Sequence, residues 1–510
     1  MARKKISIIG AGITGLSAGC YLQMNGYDTQ IFEMHNISGG LCTSWKRKGY
    51  TFDGCIHWLM GSDPGNPFYD LWKELLDMDK IEFIHHETMF DVKLKDLRDK
   101  YGDDTFHFYN DIDRLQRYLK DIAPNDTEVI DELIKIAKEV QKFELPPMIG
   151  KAPELRSVFD KMSMMKLLGL MRLMKKYVPV MVRDFANRFQ SQFVREAFIH
   201  GSMGFEFSIL MLGLQMAYFD HKTTGYPIGA SRVLAEGIEN KYSSLGGSIN
   251  YNAKVNKIIV ENDRASGILL ENGEKIDSDI VISAADGRFT IFEALEGKYV
   301  DDKLLKLYNE RDPYEVFHTG LLVSIGVSKT YENAPPLLRI QLDEPFVLPD
   351  GTKHDQVMYN LFNYDPTLAE SGKTSLTALI HTTEYDYWND LREKDKERYR
   401  KEKTEVAQQL IMVLDKVLDG FRDNVEVIDV ASPATFNRYT NNWRGSVQGW
   451  MPPADFMTVK PLNKELPGLK DFYMIGQWVM PGGGLPNSLI DGRNLTQIIC
   501  KKDKKKFVSA

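Results

Sequence analysis

The sequence predicts an α/β protein in which a Rossmann-type dinucleotide-binding domain is interwoven with an α+β domain. Three observations carry this reading. A glycine-rich turn stands between a strand and a helix at the start of the chain, a second one stands near its end, and the long middle alternates helical and strand patterns without a low-complexity linker. At 510 residues the chain is long enough for two or three domains.

Taken in order, Lys5 to Ile9 reads as a short buried strand, and Gly10-Ala11-Gly12-Ile13-Thr14-Gly15 follows as G-x-G-x-x-G before a helix carrying Leu16, Ala18, Tyr21 and Leu22. Gly10 permits the tight turn. Gly12 lets the backbone approach a pyrophosphate, and Gly15 allows close packing of helix on strand, while the helix N-terminus offers free N–H groups. Ala11, Ile13 and Thr14 complete this cofactor-binding loop. Gly26 closes the helix, residues 29–32 form the next strand, and Glu33 stands 18 residues beyond Gly15, where an acidic side chain accepts from ribose hydroxyls. This unit alone does not separate NAD from FAD.

Composition narrows the class. With 64 Lys+Arg against 71 Asp+Glu the net charge is -7, so no basic field gathers nucleic acid. The four cysteines, at 20, 42, 55 and 500, form no C-x-x-C pair and no zinc spacing, which excludes a disulfide scaffold and a dithiol centre and fits a reducing, cytoplasmic setting. The histidines make no H-x-x-x-H pattern, and no metal is expected. Arg3, Lys4 and Lys5 before an apolar run imitate a signal peptide, but the glycines interrupt that run. The apolar stretch 207–219, between Glu206 and Asp220, is too short to span a bilayer of about 30 Å.

Gly39-Gly40-Leu41-Cys42-Thr43-Ser44 comes next, then Gly49-Tyr50-Thr51-Phe52-Asp53-Gly54-Cys55-Ile56-His57-Trp58. Here the sequence resembles the FAD-dependent phytoene desaturase, carotenoid isomerase and retinol saturase family, within the amine oxidase-like flavoproteins, whose members carry a Gly-Gly segment and then F-D-x-G. The I-H-aromatic ending looks most like the retinol saturase branch. The resemblance implies FAD as cofactor, with Gly39, Gly40, Leu41 and Ser44 among the residues that bind it. Near the end of the chain, Phe472-Tyr473-Met474-Ile475 reads as a strand, and Gly476-Gln477, then Pro481-Gly482-Gly483-Gly484-Leu485-Pro486, lead into a helix. In the family this segment brings a second helix N-terminus to the flavin, which assigns Gly476, Gln477, Gly484, Leu485 and Pro486 to the cofactor. Two departures stand out: Gln477 occupies a position where many relatives have Asp, and Asn487 one where bacterial phytoene desaturases have Gly.

In the middle, Tyr226-Pro227-Ile228-Gly229 fits a Y-P-x-G that opens the return to the FAD domain, residues 253–260 alternate as a strand, and Asn262-Asp263 and Asn272-Gly273 signal hairpins. The resemblance sets Val255 beside the adenine. The FAD domain is thus expected to comprise 1–60, 225–290 and 434–500, with 61–224 and 291–433 forming the substrate domain. No second G-x-G-x-x-G lies between a strand and a helix, which argues against a separate NAD(P)H domain and leaves the electron carrier open.

In the substrate half, residues 112–122, 127–143 and 155–189 read as helical, 315–328, 356–362 and 374–381 as strands, and 393–418 as one charged amphipathic helix. The segment 151–188 holds nine basic residues against three acidic, with Met164, Leu167, Leu170, Met171, Met174 and Val178 on one face. It either lies on the inner face of a membrane or packs on the core with a solvated basic side. His57 is the candidate catalytic residue, as a proton donor or polar gate, its alternative being a histidine bonded to backbone. Tyr359, Glu206 and Asp220 are polar residues in apolar surroundings and receive no role. The expected activity is saturation, desaturation or isomerisation of carbon–carbon double bonds in a hydrophobic substrate such as a carotenoid, retinoid or unsaturated lipid. An amine oxidase-like flavoenzyme and a non-catalytic prenyl-binding escort protein are the alternatives.

Overall fold

In β1 (Lys5–Ile9) four consecutive residues are buried, the pattern of a strand inside a parallel sheet rather than at its edge. The computed structural model describes residues 3–142, 150–157, 168–201, 207–452 and 459–509. β1 lies between β2 (Asp28–Phe32) and the strand Ile280–Ser283, with Ile8 opposite Ile31 on one side and Ile282 on the other. Ser248–Asn250 extends the sheet beyond β2, and Phe472–Met474 extends it beyond Ile280–Ser283, all in parallel. One sheet therefore collects strands from the beginning, middle and end of the chain.

Two helices lock this arrangement. α1 (Ile13–Met24) crosses the C-terminal helix Leu485–Lys502 closely enough that a Cβ added to Gly492 would stand 2.6 Å from the Ala18 nitrogen. Ser17 Oγ donates to the Leu489 carbonyl at 2.8 Å across the same contact.

A second sheet of seven strands runs in the order Val425–Ala431, Thr319–Val327, Thr374–Thr382, Lys353–Leu361, Leu337–Val347, Thr88–Lys93 and Thr105–Tyr109. One face, with Leu321, Val323, Leu338, Ile340 and Leu376, shares a core with the helix Lys396–Asp415. Toward its other end Phe90, Val92, Phe106 and Phe108 pack on the helices Ile112–Ile122, Thr127–Gln141, Gln192–Gly201 and Ile209–Asp220. Both hairpin signals form turns: Asn262 and Asp263 take φ of 50° and 57° between Val255–Glu261 and Arg264–Leu270, and Gly273 takes 87° before Lys275–Asp277.

Two expectations need correction. The stretch read as one helix over 393–418 is two, Tyr385–Lys394 and Lys396–Asp415, because Asp395 stops the first and caps the second by accepting from the Arg398 nitrogen at 2.9 Å. In the basic segment the described helix is Leu168–Tyr177, and residues 158–167, with Met164 and Leu167, lie outside the described residues. Leu170, Tyr177 and Val178 are buried and Met174 is half-buried, but Met171 is 58% exposed. One residue beyond Leu170 the helix has turned about 100°, so a single apolar face does not hold both. No helix among the described residues is long and apolar enough to cross a membrane.

Gly492→Val is expected to force the two crossing helices apart and to lower unfolding stability by about 1–3 kcal/mol. Urea denaturation checks this, and an unchanged midpoint would show that the crossing tolerates a side chain.

Candidate active site

The glycine loop after β1 is held from three sides. Gly10, at φ +96°, donates to the Phe32 carbonyl at 2.8 Å. A Cβ on Gly15 would lie 2.0 Å from the Gly10 oxygen, so the third glycine of the motif is a packing requirement. Gly39 donates to the Ala11 carbonyl at 2.8 Å, and a Cβ on Gly40 would stand 3.3 Å from Gly12 Cα, which sets the Gly39-Gly40 segment directly on the loop. Ile13 and Thr14 begin α1, whose N-cap Gly12 offers no side chain to its first N–H groups.

Glu33 directly follows β2, with its carboxylate buried. Oε2 accepts from Ala11 N at 2.7 Å and Oε1 from His35 N at 2.8 Å. Burial pushes its pKa up and these N–H groups oppose that rise. Its carboxylate thus braces the glycine loop at the position expected to meet a ribose. Val255 is buried nearby with Ile9 and Phe32.

The end of the chain arrives at the same place. Gly476, at φ +101°, lies against Thr14, an added Cβ being 3.4 Å from Thr14 Oγ1. Its nitrogen donates at 2.7 Å to Asp491, a fully buried carboxylate that also pairs with Lys464. Gln477 turns its carbonyl toward Gly449, where a Cβ would approach to 2.5 Å. Gly484, at φ +90°, caps the C-terminal helix, which begins with Leu485 and Pro486. Two helix N-termini, each a positive dipole end preceded by glycine, thus belong to one pair of crossing helices.

This arrangement fits an extended dinucleotide. A Cβ on Gly12 or Gly484 would meet nothing within 4 Å, so the space before both helix ends is open. Ser44, at the start of β3 (Ser44–Arg47), has a buried hydroxyl without a partner among the described residues, while Leu41 is half-buried just before it.

β4 (Tyr50–Asp53) delivers the next element. Asp53 is buried and accepts from Cys55 N and Ile56 N, both at 2.8 Å, and from Ser231 N at 2.7 Å and Ser231 Oγ at 2.9 Å. It fastens the F-D-x-G turn to the helix Ala230–Ser244 and so fixes where His57 emerges. Asp53 is visible in the F-D-x-G motif, but nothing in its spacing marks it as this anchor.

His57 is solvent-accessible although protein surrounds much of it, and Arg339 and Asn360 lie near its side chain. Burial and then the nearby Arg339 charge push its pKa down to about 4, against the opposing interaction with Asn360. The imidazole is therefore neutral at pH 7, which removes the imidazolium form from the proton-donor role expected of it and leaves a polar N–H. Arg339 and Asn360, both buried, were missed; the available signal was an arginine inside the apolar run Leu337-Leu338-Arg339-Ile340. Asp220, by contrast, is structural: it accepts from Ile112 N at 2.8 Å and from Gln141 Nε2 at 2.7 Å. Tyr359 is buried with its hydroxyl unpartnered among the described residues, and Glu206 lies outside them. No cluster of His, Cys, Asp or Glu among the described residues could hold a metal ion.

Residues 8–75 match the family described as an NAD(P)-binding Rossmann-like domain. A 4,4'-diapophytoene desaturase of Methylomonas is 22% identical over 99% of this chain and 96% of its own length. The all-trans-retinol 13,14-reductase of Danio rerio is 22% identical, covering 93% and 82%, and a chloroplastic prolycopene isomerase 2 of an Oncidium hybrid is 26% identical, covering 94% and 80%. Over almost its full length the chain is related to these desaturases, reductases and isomerases. Solved structures extend the likeness of fold to amine oxidases. A Methanosarcina mazei oxidoreductase superposes with a TM-score of 0.62 at 17% identity, over 97% of this chain and 100% of its own. The cyclohexylamine oxidase of Brevibacterium oxydans does so at 0.57 and 14%, over 99% and 100%. The resemblance read from the Gly-Gly and F-D-x-G motifs thus holds along the whole chain.

Glu33→Ala leaves two backbone donors without acceptors, at about 1–3 kcal/mol each, and is expected to release the cofactor on gel filtration; full retention would refute its role. His57→Gln is expected to slow turnover without changing the shape of the pH profile between about pH 5 and 8. A limb in that window that disappears in the variant would contradict a neutral His57.

Proposed function

We propose that the chain is an FAD-dependent oxidoreductase acting on carbon–carbon double bonds of a hydrophobic polyene or other unsaturated lipid. The observation that carries this reading is that two glycine-preceded helices from opposite ends of the chain cross in backbone contact at Ala18 and Gly492, with Gly476, in the loop that leads to the second helix, lying against Thr14 of the first. In this reading residues 10–15 receive the pyrophosphate, Glu33 the ribose, and Val255 lies by the adenine. Gly39, Gly40, Leu41, Ser44, Gly476, Gln477, Gly484, Leu485 and Pro486 line the remainder of the cofactor. Segments 1–60, 225–290 and 434–500 form the FAD domain, and 61–224 with 291–433 the substrate domain.

When bound, the isoalloxazine supplies hydride acceptance or donation. This chain's residues do the rest. The glycine turns hold the cofactor without side chains in the way, the large sheet presents a mainly apolar wall, and neutral His57 offers a hydrogen-bond donor or acceptor at that wall. The curated relatives named above, whose names specify desaturation, isomerisation and 13,14-reduction, support the choice of alkene chemistry. The fold likeness to a cyclohexylamine oxidase supports an amine substrate less well, because a buried guanidinium beside His57 repels a protonated amine.

The test is to reduce the holoprotein anaerobically and add retinoids, carotenoids or polyunsaturated fatty acids one at a time. Reoxidation with a matching loss of a double bond, or a shifted double bond with the flavin left reduced, is expected. Reoxidation only by oxygen, with peroxide release driven by amines, would overturn the reading.

A further inference from the structure

Arg339 stands near the start of the strand Leu337–Val347, opposite Met358 on one neighbour and Val92 on the other. Side chains alternate along a strand. Leu338 and Ile340 enter the core shared with Lys396–Asp415, so Arg339 projects from the opposite face, where its guanidinium lies 3.9 Å above the Phe90 ring. Gly201 packs beside both: a Cβ there would press on Phe90 Cε2 at 3.0 Å and meet Arg339 Nη1 in ordinary contact at 3.7 Å.

The side chain is 5% exposed, and among the described residues neither Nε nor Nη1 has a hydrogen-bond partner. The nearest carboxylate along the sheet, Asp91, pairs with Leu338 in the register and is taken by His107 at 2.6 Å and Thr88 at 2.9 Å. Burial pushes the Arg339 pKa down, to about 9, and no acid among the described residues counters it. A buried cation without a counter-charge is among the costliest arrangements a fold can keep, and it is kept where a ligand completes it. Its neighbours suit the same ligand. Asn360, buried on the same sheet face, and neutral, accessible His57 both bring polar hydrogen-bonding groups. Around them Leu337, Met358 and Leu379 are half-buried on that face, an apolar surface leading to one positive charge.

We propose that the substrate is an unsaturated hydrocarbon chain ending in a carboxylate, and that Arg339 receives that carboxylate with Asn360 and His57 beside it. This rests on the alkene-directed reading above and names its substrate class: a polyene or unsaturated fatty acid rather than a hydrocarbon carotene. Phe90 holds the guanidinium plane, and the two oxygens of a carboxylate match its fork.

Equilibrium binding tests it on the holoprotein, with the fluorescent conjugated acid cis-parinaric acid and its methyl ester as probes. The acid is expected to bind at least about tenfold more tightly than the ester. Arg339→Met is expected to abolish that preference while ester binding stays within about twofold, and Arg339→Lys to retain part of it. Equal binding of acid and ester by the unaltered protein, which requires no variant to fold, would overturn the proposal, as would a preference that survives Arg339→Met. Because this measurement reads binding, its failure is distinct from failure of the redox reading. Turnover of neutral carotenes without preference for acids removes the carboxylate site and leaves the reaction. Tight acid binding without any redox exchange removes the reaction and leaves the site.

Discussion

The structure depends on the crossing of α1 with the C-terminal helix. Gly492 against Ala18, and Ser17 bonded to the Leu489 carbonyl, bring two segments almost five hundred residues apart to backbone contact. Because each helix starts from a strand of the same parallel sheet, this contact fixes where both N-termini stand. Small residues are what make it so close. A leucine at the crossing would add dispersion contacts of its own but would separate the helix ends, and with them the two halves of the cradle.

The rest of the site is built outward from that crossing by buried carboxylates, each holding backbone donors rather than balancing a surface charge. Glu33 braces the first glycine loop, Asp491 the loop at Gly476, and Asp53 ties the F-D-x-G turn to the helix Ala230–Ser244. Such groups cost desolvation, which their N–H donors and, for Asp491, the Lys464 ammonium offset, and the result is backbone held in one conformation. Arg339 is the exception. It is buried like the carboxylates but has no such set of partners among the described residues, and it lies near His57.

The cradle was legible in the sequence because its demands are local. A glycine whose Cβ would strike Gly10, or one at positive φ between a strand and a helix, leaves a mark at a fixed spacing. Hairpin turns at Asn262-Asp263 and Asn272-Gly273 were legible for the same reason. The polar cluster on the large sheet was not, since His57, Arg339 and Asn360 are separated by hundreds of residues and only strand register brings them together. The helix break at Asp395 shows a third case: amphipathic period continued through 393–418, and the capping carboxylate overrode it. In the segment around Met171 periodicity grouped side chains too generously, because a face wide enough to take both Leu170 and Met171 exceeds what the neighbouring helices cover.

The central claim is that both ends of the chain enclose one dinucleotide flavin. It is tested most directly by denaturing the purified protein after incubation with FAD and gel filtration, then quantifying the released small molecules by mass spectrometry. The account predicts FAD at one per chain. Recovery of a nicotinamide dinucleotide in its place, or of no nucleotide at all, would contradict it.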